Sequence, residues 1–278
     1  GAVIDSMIEN IHETGADNQT ILAIENPGPI LIQNNDLNSA GEVILFGGGD
    51  PASVNYLPQD ITVKRNYLHM NPAWKGTTSW SVKTLIEFKL GKRILMEGNI
   101  LEYCWPGDIG YGWRLTVRNQ GGGAPFADVS DVTIRYNTTR HVGKGFNFLG
   151  TDNDNPSQPQ RRWLIEHNLW YDMGGQWSDG SNNFWVWTGP SSPSTDDIVF
   201  RHNTVINATA GALIYTGPSG QTNFTFQDNI VHHGDYGVYR DGGAVGTAAL
   251  NAQFGASYTF TSNLLVGIAS AGLSLNNY

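Results

Sequence analysis

Apolar residues in this chain recur in short alternating runs rather than at helical spacing. The segments PILIQNNDL, DITVKRNYL, RILMEGNIL, DVTIRYNTT, RWLIEHNLW, DIVFRHNTV, NFTFQDNIV and SYTFTSNLL share one form. Each reads apolar, any, apolar, two residues, Asn, any, then mostly apolar. Alternation with period two over a short run is strand behaviour. A further strand follows in most repeats, usually opened by Gly: GEVILFG, SVKTLIEFKL, YGWRLTVRN, KGFNFLG, NNFWVWTG, GALIYTG, YGVYRDG and AGLSLNN. No repeat holds a helical pattern of about ten residues, and the joins are clusters of Gly, Pro, Asn, Asp and Ser, the residues of turns.

The repeated Asn falls at Asn35, Asn66, Asn99, Asn137, Asn168, Asn203, Asn229 and Asn263, and Ser6 holds the same place in the opening run AVIDSMI. Successive copies stand 29, 31, 33, 38, 31, 35, 26 and 34 residues apart. Periods of this length mark solenoids. A leucine-rich repeat also carries Asn at this offset, but its period is shorter and regular and its return arm is often helical. Here the spacing drifts, the return arm reads as strand, and Val, Ile, Thr and aromatics dominate over Leu. The pattern predicts an all-β, single-stranded right-handed parallel β-helix of about nine coils with an Asn ladder, as one domain over residues 1–278.

Stacking at about 4.8 Å explains the Asn column. Each amide can bond the Asn above and below, and Asn tolerates the left-handed conformation that a sharp corner needs. Asn137-Thr138-Thr139, nominally a glycosylation sequon, is then a buried ladder position. Two residues before the ladder runs an outward column: Gln33, Lys64, Glu97, Arg135, Glu166, Arg201, Gln227 and Thr261. Its charges alternate in sign over consecutive coils, which favours correct register more than bulk stability.

Composition narrows the function classes. Charged residues are 15% of the chain, against about 25% in ordinary soluble proteins. The net charge is −9 and no Lys/Arg-rich run occurs, which argues against a nucleic-acid partner. No apolar run of about 18 residues occurs, so no membrane span is expected. Cys104 is the one cysteine, so no intrachain disulfide forms, and it reads as a small buried hydrophobe. The chain starts at Ala2-Val3-Ile4 and stops just past Leu273-Ser274-Leu275, both inside coils. Terminal coils of repeat proteins usually need caps, so further domains or a partner chain are expected over at least one end.

In coil pattern and Asn ladder, residues 1–278 resemble the pectin-lyase-like superfamily of right-handed parallel β-helices. The segments WSVKTLIEFKLGKRILMEGNILEYCW, TVRNQGGGAPF and DVTIRYNTTRHVG are similar to a group of uncharacterised secreted bacterial β-helix proteins. The resemblance implies the fold, a secreted or cell-surface location, and a polysaccharide partner. That superfamily includes lyases, hydrolases, esterases, epimerases and phage tailspikes, and fold alone does not choose among them. The Asn-Thr-Asp, paired Asp, Gly-His-Gly and Arg-Ile-Lys segments of polygalacturonases are missing here. So is the Trp-Ile-Asp-His stretch of pectate lyases.

Candidate chemistry clusters in the middle coils. All nine Trp lie between Trp74 and Trp187, and Trp74, Trp105 and Trp177 sit in inter-strand loops suited to stacking on sugar rings. Trp187, Arg118 with Asn119, and Asp152 with Asp154 belong to successive return strands, as do Glu87 and Lys89. These are expected to form one groove over coils three to six. Glu87, Lys89, Arg118 and Asp152 are its catalytic candidates. Arg118 and Lys89 suit neutralisation of a uronate carboxylate, and Lys89 could also act as the base. Glu87 and Asp152 suit a pair of hydrolytic carboxylates, if two strands apart on one face. Trp74, Trp105, Asn119, Arg140, His141, Trp177 and Trp187 are substrate-binding candidates. Arg140 and His141, with Glu102 and Tyr103 one coil earlier, could instead line a separate face. Each of these residues also has a structural reading, as a neighbour's ion pair, a turn cap or a loop cover. No cofactor or metal is expected, although the oxygen-rich run at residues 152–155 would suit Ca²⁺. Two functions stay open: a polysaccharide lyase or glycoside hydrolase, and a non-catalytic glycan-binding or spacer module of a larger secreted protein.

Overall fold

The computed structural model describes residues 1–76, 79–106, 110–180, 183–188, 195–207, 211–217 and 221–267. The chain winds as a parallel β-helix with three sheets. The first sheet takes the strand that leads into each ladder position: Ala2–Ile4, Ile30–Gln33, Gln59–Lys64, Gly91–Glu97, Val129–Arg135, Gln160–Glu166, Thr195–Arg201, Gln221–Gln227 and Tyr258–Thr261. The second takes the strand that leaves it: Met7–Ile11, Asp36–Ser39, Tyr67–His69, Ile100–Cys104, Thr138–Val142, Leu169–Met173, Thr204–Asn207, Ile230–His232 and Leu264–Val266. The third holds the return strands Glu42–Phe46, Thr84–Phe88, Tyr111–Leu115, Lys144–Phe148, Trp185–Trp187, Ala212–Thr216 and Gly237–Arg240, joined by Gln19–Ala23 of the first coil, which the pattern did not show. Along every sheet the strands follow chain order, so each triplet is one coil, numbered one to nine below. The expected return strand AGLSLNN lies outside the described residues, as does the final stretch Leu273-Ser274-Leu275.

Reading one strand before the return arm merges two. Only Asn34 and Asn35 separate the strand ending at Gln33 from the one starting at Asp36, so the apolar alternation runs through the corner almost unbroken. The left-handed residue of that corner is not the ladder Asn, as expected, but the residue before it. Asn34, Arg65, Tyr136, His167, His202, Asp228 and Ser262 have φ between 52° and 57°, and Gly98 takes the same place in coil four. The division of labour is physical: one residue makes the bend, and the next keeps its amide turned inward.

That amide completes the ladder. Asn99 donates Nδ2–H to Val63 O (2.9 Å) and to Asn137 Oδ1 (2.9 Å), and its backbone N–H goes to the same Oδ1 (2.9 Å). The pattern repeats from Asn35 to Asn229, with every ladder Asn buried. The charge column forms as expected, since Lys64, Glu97, Arg135, Glu166 and Arg201 are register neighbours in turn. Arg135 reaches Glu97 at 2.6 Å and Arg201 reaches Glu166 at 2.9 Å.

The middle coils are filled with rings. Trp113, Trp163, Trp170, Trp185 and Trp187 are fully buried, beside Phe146, Phe148 and Phe184. Trp113 donates its indole N–H to Thr139 Oγ1 at 2.9 Å, whereas the other four have no acceptor among the described residues. Gly145 is needed for this packing, because a Cβ there would stand 2.5 Å from Phe184. The short helix Thr247–Phe254 closes over the later coils, where Phe254 stacks on Phe224 at 4.5 Å. No helix among the described residues is long and apolar enough to cross a membrane.

Candidate functional site

The third sheet does not gather its expected catalytic residues into one set. Glu87 faces outward between Leu45 and Arg114, yet it is fully buried. Its Oε1 meets Arg114 Nη1 at 2.9 Å and Lys89 Nζ at 3.8 Å, and accepts from Thr116 Oγ1 at 3.3 Å. Nearby, burial pushes the Glu42 carboxyl above its usual range, against the hydrogen bond from Gln19 and the charge of Lys83. Arg118 belongs to a different cluster. It bonds Asp152 at 2.9 Å and Asp154 at 3.1 Å, which places a guanidinium where the 152–155 run was expected to suit Ca²⁺. Asp152 also accepts from the Asn119 backbone at 2.7 Å, and the Asn119 side chain bonds Pro156 O and Ala124 N. These contacts tie two loops together. Glu87 with Arg114 and Lys89, and Arg118 with Asp152, are thus two separate ion-pair clusters rather than facing halves of a groove, and in the first the buried Glu87 Oε2 has no hydrogen-bond partner among the described residues. Trp187 is not a stacking platform: it is 1% exposed and packs on Phe148 and Phe224.

The second sheet presents a richer face. Outward positions one and three after each ladder Asn form two parallel columns. One runs Asp36, Tyr67, Ile100, Thr138, Leu169, and the other runs Asn38, His69, Glu102, Arg140, Tyr171. Glu102 is the hub. It accepts from Tyr67 OH (2.9 Å), Arg140 Nη2 (3.0 Å) and His141 Nδ1 (2.7 Å). Burial raises its proton affinity, and the bonds from Arg140, Tyr67 and His141 together overcome that, so the carboxyl lies below its usual range. Tyr67 is pushed far up, by burial first and then by Glu102, so its phenol keeps its proton as the donor. His141 turns its other nitrogen to Asp172 at 2.8 Å and stacks on Tyr103 at 5.0 Å, with Trp177 tilted against both.

Further along the same face, His69 Nε2 lies 2.8 Å from Asp36 Oδ1, and its ring stacks on Tyr67 at 4.1 Å. Asn38 fixes the tautomer. Its Oδ1 is taken by the Asn10 backbone N–H (3.1 Å), so its Nδ2 donates to His69 Nδ1 (3.3 Å) and Nε2 carries the proton toward Asp36. Glu9 approaches from coil one, and one ligating atom each of Glu9, Asp36 and His69 lie within 4.8 Å of one another.

Loops wall this face. After the coil-three strand, Asn71 caps the turn Pro72–Trp74 by accepting from the Ala73 N–H at 3.0 Å. After the coil-six strand, the turn Gly175–Trp177 folds back over Tyr103 and His141. Two cavities result. One of about 420 Å³ is lined by Glu9, Asn38, Tyr67, His69, Trp74 and Tyr103. The other, about 580 Å³, is lined by Lys75, Trp105, Gln176, Ser178 and Asp179. Of the substrate-binding candidates, the structure therefore brings Trp74, Trp105, Arg140, His141 and Trp177 to this face, and leaves Asn119 and Trp187 elsewhere; Trp74, Trp105 and Trp177 are themselves buried, at 5–7% exposure, so they wall the face rather than offer the open ring faces expected of them. Sequence reasoning missed Asp36, Asn38, Tyr67 and His69. The signal was available: reading positions one and three after each ladder Asn down the coils gives both columns directly.

Fold and face together define a parallel β-helix protein with a polar and aromatic shelf on its second sheet. No family model, curated protein or solved structure matches the chain.

Proposed function

We propose that this chain is a polysaccharide-active β-helix protein that holds its glycan across the outer face of the second sheet, over coils one to six. The observation that carries the reading is convergence. Half-buried Tyr67 and Tyr103 stand beside Glu9, Asn38 and His69 around one cavity walled by the buried Trp74, and the buried Trp105 walls the next. Sugars are held by aromatic stacking together with polar contacts to hydroxyls, and a concave mixture of both is what such a ligand needs. Polysaccharides are met outside the cell, so a secreted or cell-surface location belongs to the same proposal.

Two activities are open to such a face: cleavage by elimination or hydrolysis, and binding without cleavage. Elimination beside a uronate needs a cation over the sugar carboxylate, and Arg140 is already neutralised by Glu102. One observation favours the non-catalytic alternative: the hub Glu102 is fully engaged by Tyr67, Arg140 and His141. A panel of neutral and acidic polysaccharides decides between them. Products are read by absorbance of the unsaturated uronate and by reducing ends, and binding by retention on immobilised glycan. Retention with product supports the enzyme, retention without product supports the module, and the absence of both retention and product refutes the glycan reading.

A further inference from the structure

The face holds a second, separable feature at its first coils. We propose that Glu9, Asp36 and His69 bind one divalent transition-metal ion of the Mn²⁺ or Zn²⁺ type, with its open positions turned toward the cavity lined by Tyr67, Trp74 and Tyr103. Three coils each supply one ligand: Glu9 from the first, Asp36 from the second and His69 from the third. Their ligating atoms lie within 4.8 Å of one another. Donors bound at about 2.0–2.2 Å sit roughly 3 to 4.4 Å apart across a coordination sphere, so the triangle needs only small side-chain movement.

Charge supplies an independent reason. Two carboxylates approach within 4.8 Å here, and among the described residues no Lys or Arg lies within 4.0 Å of either. The Nε2 proton of His69 serves Asp36 alone. A cation at the centre of the triangle relieves that repulsion and satisfies all three groups at once. Imidazole with two carboxylates suits Mn²⁺, Zn²⁺ and their neighbours, whereas Ca²⁺ and Mg²⁺ prefer all-oxygen sets. The surroundings are those of a built ligand set, because Tyr67 stacks on the His69 ring and Asn38 contacts its far nitrogen. When the ion takes Nε2, the imidazole proton moves to Nδ1. Asn38 then turns its amide so that Oδ1 accepts it, the outer-shell arrangement that orients metal-binding histidines, and the backbone N–H of the exposed Asn10 is released to water.

The site stands whether or not a glycan binds beside it. If both hold, the ion provides the cation that Arg140 cannot. The test is titration of chelator-treated protein with MnCl₂, read by loss of the free Mn²⁺ paramagnetic resonance signal and by calorimetry, with CaCl₂ as the comparison. One equivalent is expected to bind, and Ca²⁺ at least tenfold more weakly. H69Q and D36N should each weaken Mn²⁺ at least tenfold. E9Q, at an exposed position whose change leaves the coil intact, should weaken it several-fold. N38D should tighten it, since a carboxylate accepts the Nδ1 proton without turning and adds a negative charge beside the ion. Failure of Mn²⁺ and Zn²⁺ to bind below the millimolar range overturns the proposal. Unchanged affinity in both H69Q and E9Q overturns it equally.

Discussion

Replacing Asn137 by Ala removes one amide from the middle of the ladder, and the structure says what is left behind. Asn137 Oδ1 accepts both the backbone N–H and the side-chain N–H of Asn99, each at 2.9 Å. Its Nδ2 donates to Met96 O, Arg135 O and Asn168 Oδ1, each at 3.0 Å. Two of those acceptors keep another donor, since Gly98 N–H reaches Arg135 O at 3.2 Å and Asn137 N–H still reaches Asn168 Oδ1 at 2.9 Å. The main loss is therefore at Asn99, whose buried backbone N–H is left with no acceptor and whose Nδ2 keeps only Val63 O. An orphaned buried polar group costs about 1–3 kcal/mol, so N137A should lose about 2–4 kcal/mol in all. N35A is the internal control. Asn35 Oδ1 accepts only Ser6 N–H (2.9 Å), at a partly buried coil-one position that water can serve, so about 1 kcal/mol is expected. Urea unfolding reads both as shifts in midpoint at constant slope. Equal shifts for N137A and N35A, or a loss below about 0.5 kcal/mol for N137A, would refute the ladder energetics.

Further expectations test the charge networks. E87Q should lower stability by about 2–4 kcal/mol, because it leaves Arg114 and Lys89 without their buried counter-charge; a variant as stable as the parent contradicts this. R118A should loosen the loop that Asp152 anchors, seen as faster proteolysis within residues 150–157, since the guanidinium is the charge that holds it; an unchanged cleavage pattern counts against that role. E97K places like charges beside Lys64 and Arg135 on a half-exposed face, so a loss of up to about 1 kcal/mol is expected at low salt and little at high salt. Glu102 has a folded pKa below its unfolded value, so its stabilisation is present above about pH 4.3 and is lost as pH falls through the folded value. E102Q should therefore flatten the acid limb of the stability curve, and an acid limb as steep as the parent's would contradict the hub.

The fold was legible because the Asn column repeats a backbone requirement in every coil, and the alternating charges at Lys64, Glu97 and Arg135 gave the register independently. The second sheet was hidden because its strands are as short as Tyr67–His69 and follow the corner after two residues, so they read as the tail of the first strand. The expected groove did not form for a related reason. A cluster of Trp suggested a groove, but Trp113, Trp163, Trp170, Trp185 and Trp187 instead fill a wide core. Glu87 and Arg118 looked like one patch because their strands are neighbours, whereas Glu87 is taken by Arg114, which was not foreseen, and Arg118 pairs with Asp152 and Asp154, both expected in the patch, as a separate cluster. Arg140 and His141 are binding candidates by sequence, with a separate face beside Glu102 and Tyr103 as the alternative, and the structure shows that alternative arrangement. His69 and Asp36 carried no motif, since their meeting depends on stacking between coils and not on spacing along the chain.

The placement of the glycan on the second sheet is tested most directly by retention on immobilised polysaccharide, measured for variants of both faces. The ligand is the one best retained by the parent protein. H69Q and Y103A alter the second-sheet cavity, and E87Q and R118A alter the third-sheet clusters. The expected result is at least tenfold weaker retention for H69Q and Y103A, with E87Q and R118A retained as the parent when assayed well below their melting temperatures. Weakened retention in E87Q and R118A, with H69Q and Y103A unaffected, would contradict the account and return the site to the third sheet.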